Sequence, residues 1–405
     1  MKLYFSGRII KKGRYKMQFN KIKLKDIADI NMGQSPSGSS YNNNGRGIPF
    51  LQGNKTFGFL YPTIDTWTTE PKKIGKKNSV LMSVRAPVGD LNIANKDICI
   101  GRGLCSIEMK NGNNQYLYYL MKNSIKKIKM KSTGTVFESI NRKELENIEI
   151  LDFDKSQQKK ISKILFDIDK KIELNIQTND NLYEITNKLY EQLFVIERQD
   201  DWKEYNLQEL MDISNGYSYT GKELVDTSVV GMATIKNFER TGGFKEEGFK
   251  DIEPIKAKDT HYADKFDILV ACTDLTQNAD IIGNAIMLLN IGKYEKVVIS
   301  MDLVKILPKK NKYLVFSILN SKEFKNFALR YKTGTTVLHL NKNCFKDFHI
   351  KLPDFDKIEN FEKVVETNYK KISYNLEENN TLTQLRDSLL PKLMSGEIEL
   401  DKIEI

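Results

Sequence analysis

Two stretches of this chain repeat one another, and that repetition constrains its fold more than any other feature. Leu24-Lys25-Asp26-Ile27-Ala28-Asp29-Ile30-Asn31-Met32-Gly33 returns as Leu207-Gln208-Glu209-Leu210-Met211-Asp212-Ile213-Ser214-Asn215-Gly216, 183 positions on. Apolar, acidic and glycine places agree. Thr133-Gly134-Thr135 returns as Thr333-Gly334-Thr335, and Asn141 as Asn341, now at an offset of 200. The second copy therefore carries 17 extra residues between those points. Asp152-Phe153-Asp154-Lys155 also recurs, as Asp354-Phe355-Asp356-Lys357. Two domain-sized copies related by a pseudo-two-fold are the expectation.

Each copy ends in a long stripe of apolar residues at steps of three and four, the signature of one helix face. The first stripe includes Ile172, Leu182, Ile185 and Leu189, and the second includes Ile372, Leu382, Leu385 and Leu389. A helix over 155–196 would be roughly 60 Å long at 1.5 Å per residue, too long to bury its stripe on one compact domain. Pairing of the two helices through these positions, antiparallel in a coiled coil, is the expected solution. Two helices each folded back on its own domain is the alternative. Asn179 and Asn379 occupy matching places; they either fix register at the seam or face solvent.

Strand signals precede each helix. Ser79–Val84 and Leu91–Ala94 stand in the first copy, Asp267–Cys272 and Lys296–Val304 in the second, as β-branched runs bounded by Gly, Pro and Asn. A shorter helix is expected near Gln115–Lys127 and Lys312–Leu329. The fold class is α+β. A basic extension (1–20) leads to a globular α/β domain (21–154) and a long helix (155–201). A second globular domain (202–356), a second long helix (357–398) and a short tail (399–405) follow.

Composition excludes several classes. No apolar run approaches the roughly 20 residues a membrane span needs. Cys99, Cys105, Cys272 and Cys344 have no paired spacing, so zinc and a disulfide scaffold are both disfavoured and a reduced, cytoplasmic protein is expected. His261, His339 and His349 form no metal or triad pattern. Gly216–Glu223 nearly spells a phosphate-binding loop, but Glu223 stands where a hydroxyl should meet magnesium, and a carboxylate repels phosphate. With no methyl-donor motif and no nuclease carboxylate cluster, the chain reads as non-catalytic and without a cofactor of its own.

The net charge of +10 is unevenly spread. Six bases and no acid fall in residues 1–20; residues 21–154 hold 20 bases against 13 acids, and residues 201–356 hold 22 of each. Lys72, Lys73, Lys122, Lys126, Lys127 and Lys131 lie in the basic first domain, either as phosphate contacts or as a solvated face. Neutrality of the second domain leaves room for a local patch.

The motifs Ser83-Val84-Arg85-Ala86-Pro87-Val88-Gly89, Cys99-Ile100-Gly101-Arg102-Gly103, Ile48-Pro49-Phe50-Leu51-Gln52-Gly53, Ser132-Thr133-Gly134-Thr135 and Leu389–Ile398 carry a resemblance. With the duplicated layout, and from about residue 20 to 398, the chain resembles the specificity subunits of Type I restriction-modification systems. That resemblance implies two target recognition domains, each reading one half of a split, asymmetric site in double-stranded DNA. It also implies antiparallel spacer helices that dock two methylation subunits. Those subunits would supply S-adenosylmethionine, and restriction subunits would supply ATP-driven cleavage.

On this reading the threonine-glycine-threonine turns, Thr133-Gly134-Thr135 and Thr333-Gly334-Thr335 with Lys332 before the second, are candidates to approach DNA; a plain helix-to-strand turn is the alternative. Arg46 and Arg240 are the candidate base readers, since arginine pairs best with guanine edges. Arg85 and Arg102 sit inside family-like motifs and read as structural. The second domain departs from the pattern, with Ala271-Cys272-Thr273-Asp274 for Ser-Val-Arg-Ala and no Cys-Ile-Gly-Arg-Gly turn. A coiled-coil scaffold that bridges protein partners without DNA is the competing function.

Overall fold

Two four-stranded antiparallel sheets with the same strand order carry the repeat. The computed structural model describes residues 21–131, 139–151, 153–240, 242–276 and 278–400; the extension 1–20 and the tail from 401 lie outside them. In the first sheet, β1 (Ala28–Met32), β2 (Val80–Ser83), β3 (Leu91–Ile93) and β4 (Leu104–Met109) run in the order β1-β4-β2-β3. In the second, β5 (Met211–Asn215), β6 (Ile268–Ala271), β7 (Ala285–Met287) and β8 (Leu303–Pro308) run β5-β8-β6-β7. The inner strands β2 and β6 are buried throughout, as their continuous apolar runs require, whereas the edge strands β1 and β5 keep Asp29 and Asp212 exposed. Each copy adds a smaller sheet with one parallel pair, Ile48–Leu51 on Ile98–Ile100 and Val230–Ala233 on Lys296–Ile299. The ends of each globular part are tied together, Lys21–Lys23 to Glu149–Leu151 and Lys203–Asn206 to His349–Leu352.

Two expected elements are broken. The run 296–304 is not one strand: a turn at Ser300–Asp302 separates Lys296–Ile299 from β8. The helix expected over 312–329 divides into Lys312–Asn320 and Lys322–Ala328, because Ser321 is extended and its hydroxyl caps the Phe324 amide at 3.1 Å. Its counterpart α1 (Asn114–Lys131) is continuous.

The long helices are α2 (Lys155–Tyr190) and α3 (Phe355–Met394). Residues 191–196 continue α2 as a wider turn, closed by the Glu197 amide on the Gln192 carbonyl at 3.0 Å. The chain divides into two compact units: one takes the chain up to Glu173 and from Leu382 onward, the other Leu174–Thr381. Each unit thus contains a globular part and a portion of both long helices.

Within the first unit, Ile161 and Leu165 of α2 and Leu390, Leu393 and Met394 of α3 join one core with Leu24, Tyr116, Leu117 and Ile150. The two segments run antiparallel, since Lys160 Nζ reaches the Leu400 carbonyl while Asp169 meets Arg386. Asp169 is fully buried. It accepts from Arg386 Nη1 at 2.7 Å and from the Tyr119 hydroxyl at 2.7 Å, with Lys122 Nζ 3.9 Å away. Burial opposes the Arg386 charge, but hydrogen bonds to Asp387 and Asp169 outweigh it and hold the guanidinium protonated. Burial and the neighbouring carboxylate push the Tyr119 hydroxyl up.

Within the second unit amide side chains carry the seam, and Asn175 also donates to the Glu378 carboxylate at 2.7 Å. Asn175 donates to Asn379 at 2.8 Å and Asn375 donates to Asn179 at 2.7 Å. Beyond them Tyr183 meets Tyr369 at 5.9 Å, Asn368 donates to Thr186 at 3.2 Å, and Phe194 packs edge-on against Phe361 at 5.0 Å. Asn179 and Asn379 therefore lie at the seam.

The apolar stripe behaves differently from expectation at several positions. Ile172 and Ile372 are buried, and Leu182, Leu189, Leu382 and Leu389 are half-buried. Ile185 and Leu385 are not pairing residues: they are 53% and 45% exposed. Polar side chains occupy the buried line instead, and the helices bury their apolar residues against the globular parts as well as along each other. Folding back and pairing are both realised.

Replacing Arg386 by leucine strands Asp169 in the core, and removing one partner of a buried ion pair costs about 3–5 kcal/mol. Urea unfolding should show a loss of that size for Arg386→Leu, partly recovered in Asp169→Leu/Arg386→Leu. Ile185→Asp, at an exposed position, should stay within about 0.5 kcal/mol of the parent.

Candidate nucleic-acid interface

In each unit the loops at one end of the main sheet are gathered by the same backbone hydrogen bonds. The Gly33 amide donates to the Leu104 carbonyl at 2.9 Å and the Gln34 amide to Ile100 at 2.9 Å. Their repeat partners do the same, Gly216 to Leu303 at 3.2 Å and Tyr217 to Ile299 at 2.7 Å. A Cβ on Gly33 would lie 2.1 Å from the Gly101 carbonyl oxygen, and one on Gly216 would lie 1.9 Å from that of Ser300. The repeated glycine is therefore a backbone-contact position, needed because strand end and turn touch.

The turn that each glycine touches is also repeated. Gly101-Arg102-Gly103 precedes β4, and Ser300-Met301-Asp302 precedes β8. The second unit thus keeps the turn in shape while replacing its residues, which sequence comparison alone read as a missing feature. The segment after β2 or β6 joins the same end: Val84 N donates to Gly103 O at 2.9 Å, and Cys272 N to Asp302 O at 2.8 Å. A last strand closes it, Arg85 bridging Ser139 and Thr273 pairing His339.

Thr133, Gly134 and Thr135 lie outside the described residues. Their repeat partners form an exposed hairpin, Lys332–Thr333 paired with Leu338–Leu340. Gly334 has φ +98°, and a Cβ there would meet the Val337 carbonyl oxygen at 2.2 Å, so this position requires glycine. Thr335 lies on the exposed side of the same turn.

The near phosphate loop at 216–223 is occupied from within. Glu223 accepts from the Tyr217 hydroxyl at 2.5 Å, the Thr220 amide at 2.9 Å and the Ile255 amide at 3.1 Å. These bonds, the Tyr217 hydroxyl foremost, hold its carboxyl down to about 2. The loop's donors already have an anion.

The lysines separate into two groups. Lys122 is half-buried beside Asp169 and over the Tyr118 ring, and burial lowers its pKa. Lys126, Lys127 and Lys131 lie on the exposed side of α1, where Lys127 and Lys131 reach the Glu149 and Asn147 carbonyls at 3.5 and 3.2 Å. Lys72 and Lys73 are exposed on the approach to Ile74–Gly75. Arg46 is exposed in a turn clasped by Asn42, which accepts from the Arg46 amide at 3.0 Å. Arg240 is exposed on a cleft of about 610 Å³ whose bases, with Lys236 and Lys245, are outnumbered by the carboxylates of Glu239, Glu247, Asp274 and Asp280. Lys122 stands beside Asp169 and away from the loop end gathered by Gly33, whereas the Lys73 carbonyl accepts there from the Ile100 amide at 2.8 Å. Arg85 and Arg102 are there as well, both exposed. Sequence reading set them aside as structural; the missed signal was their flanking of one strand pair.

No helix among the described residues is long and apolar enough to cross a membrane, and no described cluster of His, Cys, Asp and Glu could hold a metal ion. All four cysteines are buried and free, with the Cys105, Cys272 and Cys344 thiols pushed up to about 12 by burial.

The two units present equivalent loop ends with different side chains, the layout of a duplicated two-domain protein. The family model for the Type I restriction modification DNA specificity domain matches twice, over residues 17–184 and 199–384, and the chain belongs to that family as a non-catalytic specificity subunit. It is similar to the Type I restriction enzyme MjaIX specificity subunit of Methanocaldococcus jannaschii, 23% identical over 94% of both chains. A putative type I restriction enzyme MjaX specificity subunit of that organism is 41% identical over 162 residues, covering 40% of this chain and only 38% of that one. The crystal structure of the Type I restriction-modification system S subunit from M. genitalium shares the fold, with a TM-score of 0.60 at 16% identity, over 95% of this chain and 98% of that one.

Two measurements follow from this geometry. Replacing Lys126, Lys127 and Lys131 by glutamine should leave the melting temperature unchanged and flatten the salt dependence of DNA binding, whereas Lys122→Gln should lower stability. Because the folded pKa of Glu223 is depressed, its contribution is present above the ordinary carboxylate range and lost as pH falls toward about 2. Glu223→Gln should therefore lower stability at neutral pH and weaken its fall in acid.

Proposed function

We propose that this chain selects the DNA sequence at which a Type I restriction-modification complex acts, each unit reading one half of a bipartite, asymmetric site. The observation that carries the proposal is the pair of equivalent loop ends, held by matching backbone bonds at Gly33 and Gly216 but bearing different side chains. A pseudo-two-fold frame matches the near-symmetry of duplex DNA, and divergence at its tips makes the half-sites differ. The second unit's hairpin at Lys332, Thr333, Gly334 and Thr335 and, by repetition, Thr133–Thr135 approach the duplex. Lys126, Lys127 and Lys131 serve phosphate. Arg240, exposed on a cleft of mixed charge, reads a base edge in the second unit, and Arg46, Lys72 and Lys73 extend the first unit's surface.

The long helices act as an antiparallel coiled-coil spacer whose length sets the number of base pairs between the half-sites. They also dock two methylation subunits, which bring S-adenosylmethionine; restriction subunits join that assembly in the cytoplasm. Support comes from the helix faces turned to solvent. Leu174 and Ile185, three turns apart on α2, are 47% and 53% exposed, and their repeat counterparts Tyr374 and Leu385 are 56% and 45% exposed. Equivalent apolar positions, displayed once per repeat, suit two copies of one partner.

Exchanging residues 202–356 for the matching part of a relative should change one half-site and leave the other intact, as read by methylome sequencing of a host carrying the chimera. Alteration of both half-sites would refute independent reading. Leu174→Glu with Ile185→Glu should leave the chain folded and weaken its co-purification with the methylation subunit.

A further inference from the structure

We propose that Arg85 and Arg102 act together as the guanine reader of the first unit, a site supplied by two loops that sequence spacing does not connect. This rests on the reading of the chain as a DNA specificity subunit.

The argument starts from strand register. β2 and β4 are antiparallel with Ser83 opposite Leu104, and the ladder continues one step as Val84 N donates to Gly103 O at 2.9 Å. The next residues outward on the two chains are Arg85 and Arg102. Both are exposed, and among the described residues neither forms an ion pair or a side-chain hydrogen bond. Arg102 stands in the turn that the Leu104 amide closes on the Gly101 carbonyl at 3.0 Å, and Arg85 follows the end of β2, so one loop end presents two cationic side chains without a carboxylate partner, which favours an acceptor-rich ligand.

The surroundings fix the backbone and leave the side chains free. The Arg102 amide donates to Ser35 Oγ at 3.2 Å, and Ser35 donates to Gln52 Oε1 at 2.9 Å, while the Gly103 amide donates to the Gln52 carbonyl at 3.1 Å. On its other side Arg85 bridges Ser139, the described residue that follows the Thr133–Thr135 segment. A narrow turn bearing planar, bidentate donors on a rigid base is the form needed to enter the major groove, where guanine offers N7 and O6 as paired acceptors.

The second unit supplies the contrast that favours a base over a phosphate. There Ala271 stands opposite Leu303, Cys272 N donates to Asp302 O, and the next residues outward are Thr273 and Met301. Thr273 is buried and donates to Asp302 Oδ1 at 2.9 Å, whereas Met301 is 58% exposed. A phosphate contact would serve both half-sites alike. A position that is cationic in one unit and neutral in the other, on the same backbone, is where the half-sites are told apart.

The test uses the full chain assembled with its methylation subunits and a set of duplexes carrying the native target with each base pair exchanged in turn. Arg85→Ala and Arg102→Ala should each weaken binding to the native duplex about tenfold to a hundredfold, the range of one bidentate base contact. The variants should become indifferent to one G·C pair in one half-site, keep full discrimination in the other, and keep the salt slope. Their free chains should melt no lower than the parent, because both side chains are exposed and form no ion pair or side-chain hydrogen bond among the described residues; Arg85→Lys and Arg102→Lys, which keep the charge, should fail to restore discrimination. Equal weakening on every duplex with a salt slope reduced by about one per arginine would overturn the proposal in favour of phosphate. Unchanged binding, or a lowered melting temperature with unchanged discrimination, would overturn it in favour of a structural role. If the parental complex discriminates among none of the duplexes, the specificity function itself falls, an outcome distinct from the others.

Discussion

A carboxylate with no exposure cannot remain charged without partners, and Asp169 organises the first unit around that requirement. Its oxygens accept hydrogen bonds from Arg386 of α3 and from the Tyr119 hydroxyl of α1, and Lys122 adds a second cation nearby. Three elements far apart in sequence thereby converge on one point. The stack of the Arg386 guanidinium over the Phe59 ring, 5.8 Å to its centroid, extends the same cluster to the loop side of the domain. Apolar packing alone would tolerate a slip of one helix along the other; a buried ion pair opposes it, since a shift of one turn would break the Asp169–Arg386 contact in the core.

The second unit meets the same need for register through amide side chains rather than a buried ion pair. At an offset of 200, Asp169 corresponds to Tyr369 and Arg386 to Thr186. Tyr369 is surrounded by Tyr183, Tyr313 and Phe316, and Thr186 is buried with Asn368. The paired asparagines 175 with 379 and 179 with 375 supply the directional contacts there. A duplicated sequence has thus diverged into two solutions at equivalent places, one ionic and one neutral. Mispairing of like halves would set Asp169 opposite a threonine rather than Arg386, so the divergence also favours the heterologous arrangement over a symmetric one.

Much of this architecture was legible in the sequence because it depends on patterns that repeat. The offsets of 183 and 200, the three-and-four spacing and the β-branched runs pointed to the two sheets and the two helices. The unread features depend on three-dimensional coincidence. Asp169, Tyr119 and Arg386 carry no local signature, and only tertiary packing makes them neighbours. Ile185 and Leu385 fit the apolar stripe but point outward, because the buried line follows Asp169, Asn175 and Asn179 instead. The turn Ser300-Met301-Asp302 shares no side chain with Gly101-Arg102-Gly103, yet the backbone is the same, since the bonds from Gly216 and Tyr217 specify it without reference to side chains.

That last point bears on how a specificity subunit can change its target. The loop end of each unit is held by main-chain hydrogen bonds, by a glycine whose Cβ would strike the opposing turn, and by a sheet whose residues face the core. None of these supports involves the side chains at the tips. Arg85 can therefore stand where the other unit has Thr273, and Arg102 where it has Met301, with the ladder, the turn and the packing beneath unchanged. Substitutions at the exposed tips Arg85, Arg102 and Met301 alter what the surface recognises at little cost in stability, while substitutions at Gly33, Gly216 or Asp169 do the reverse. Separation of these two sets of residues is what allows one scaffold, used twice in a single chain, to carry two different recognition chemistries.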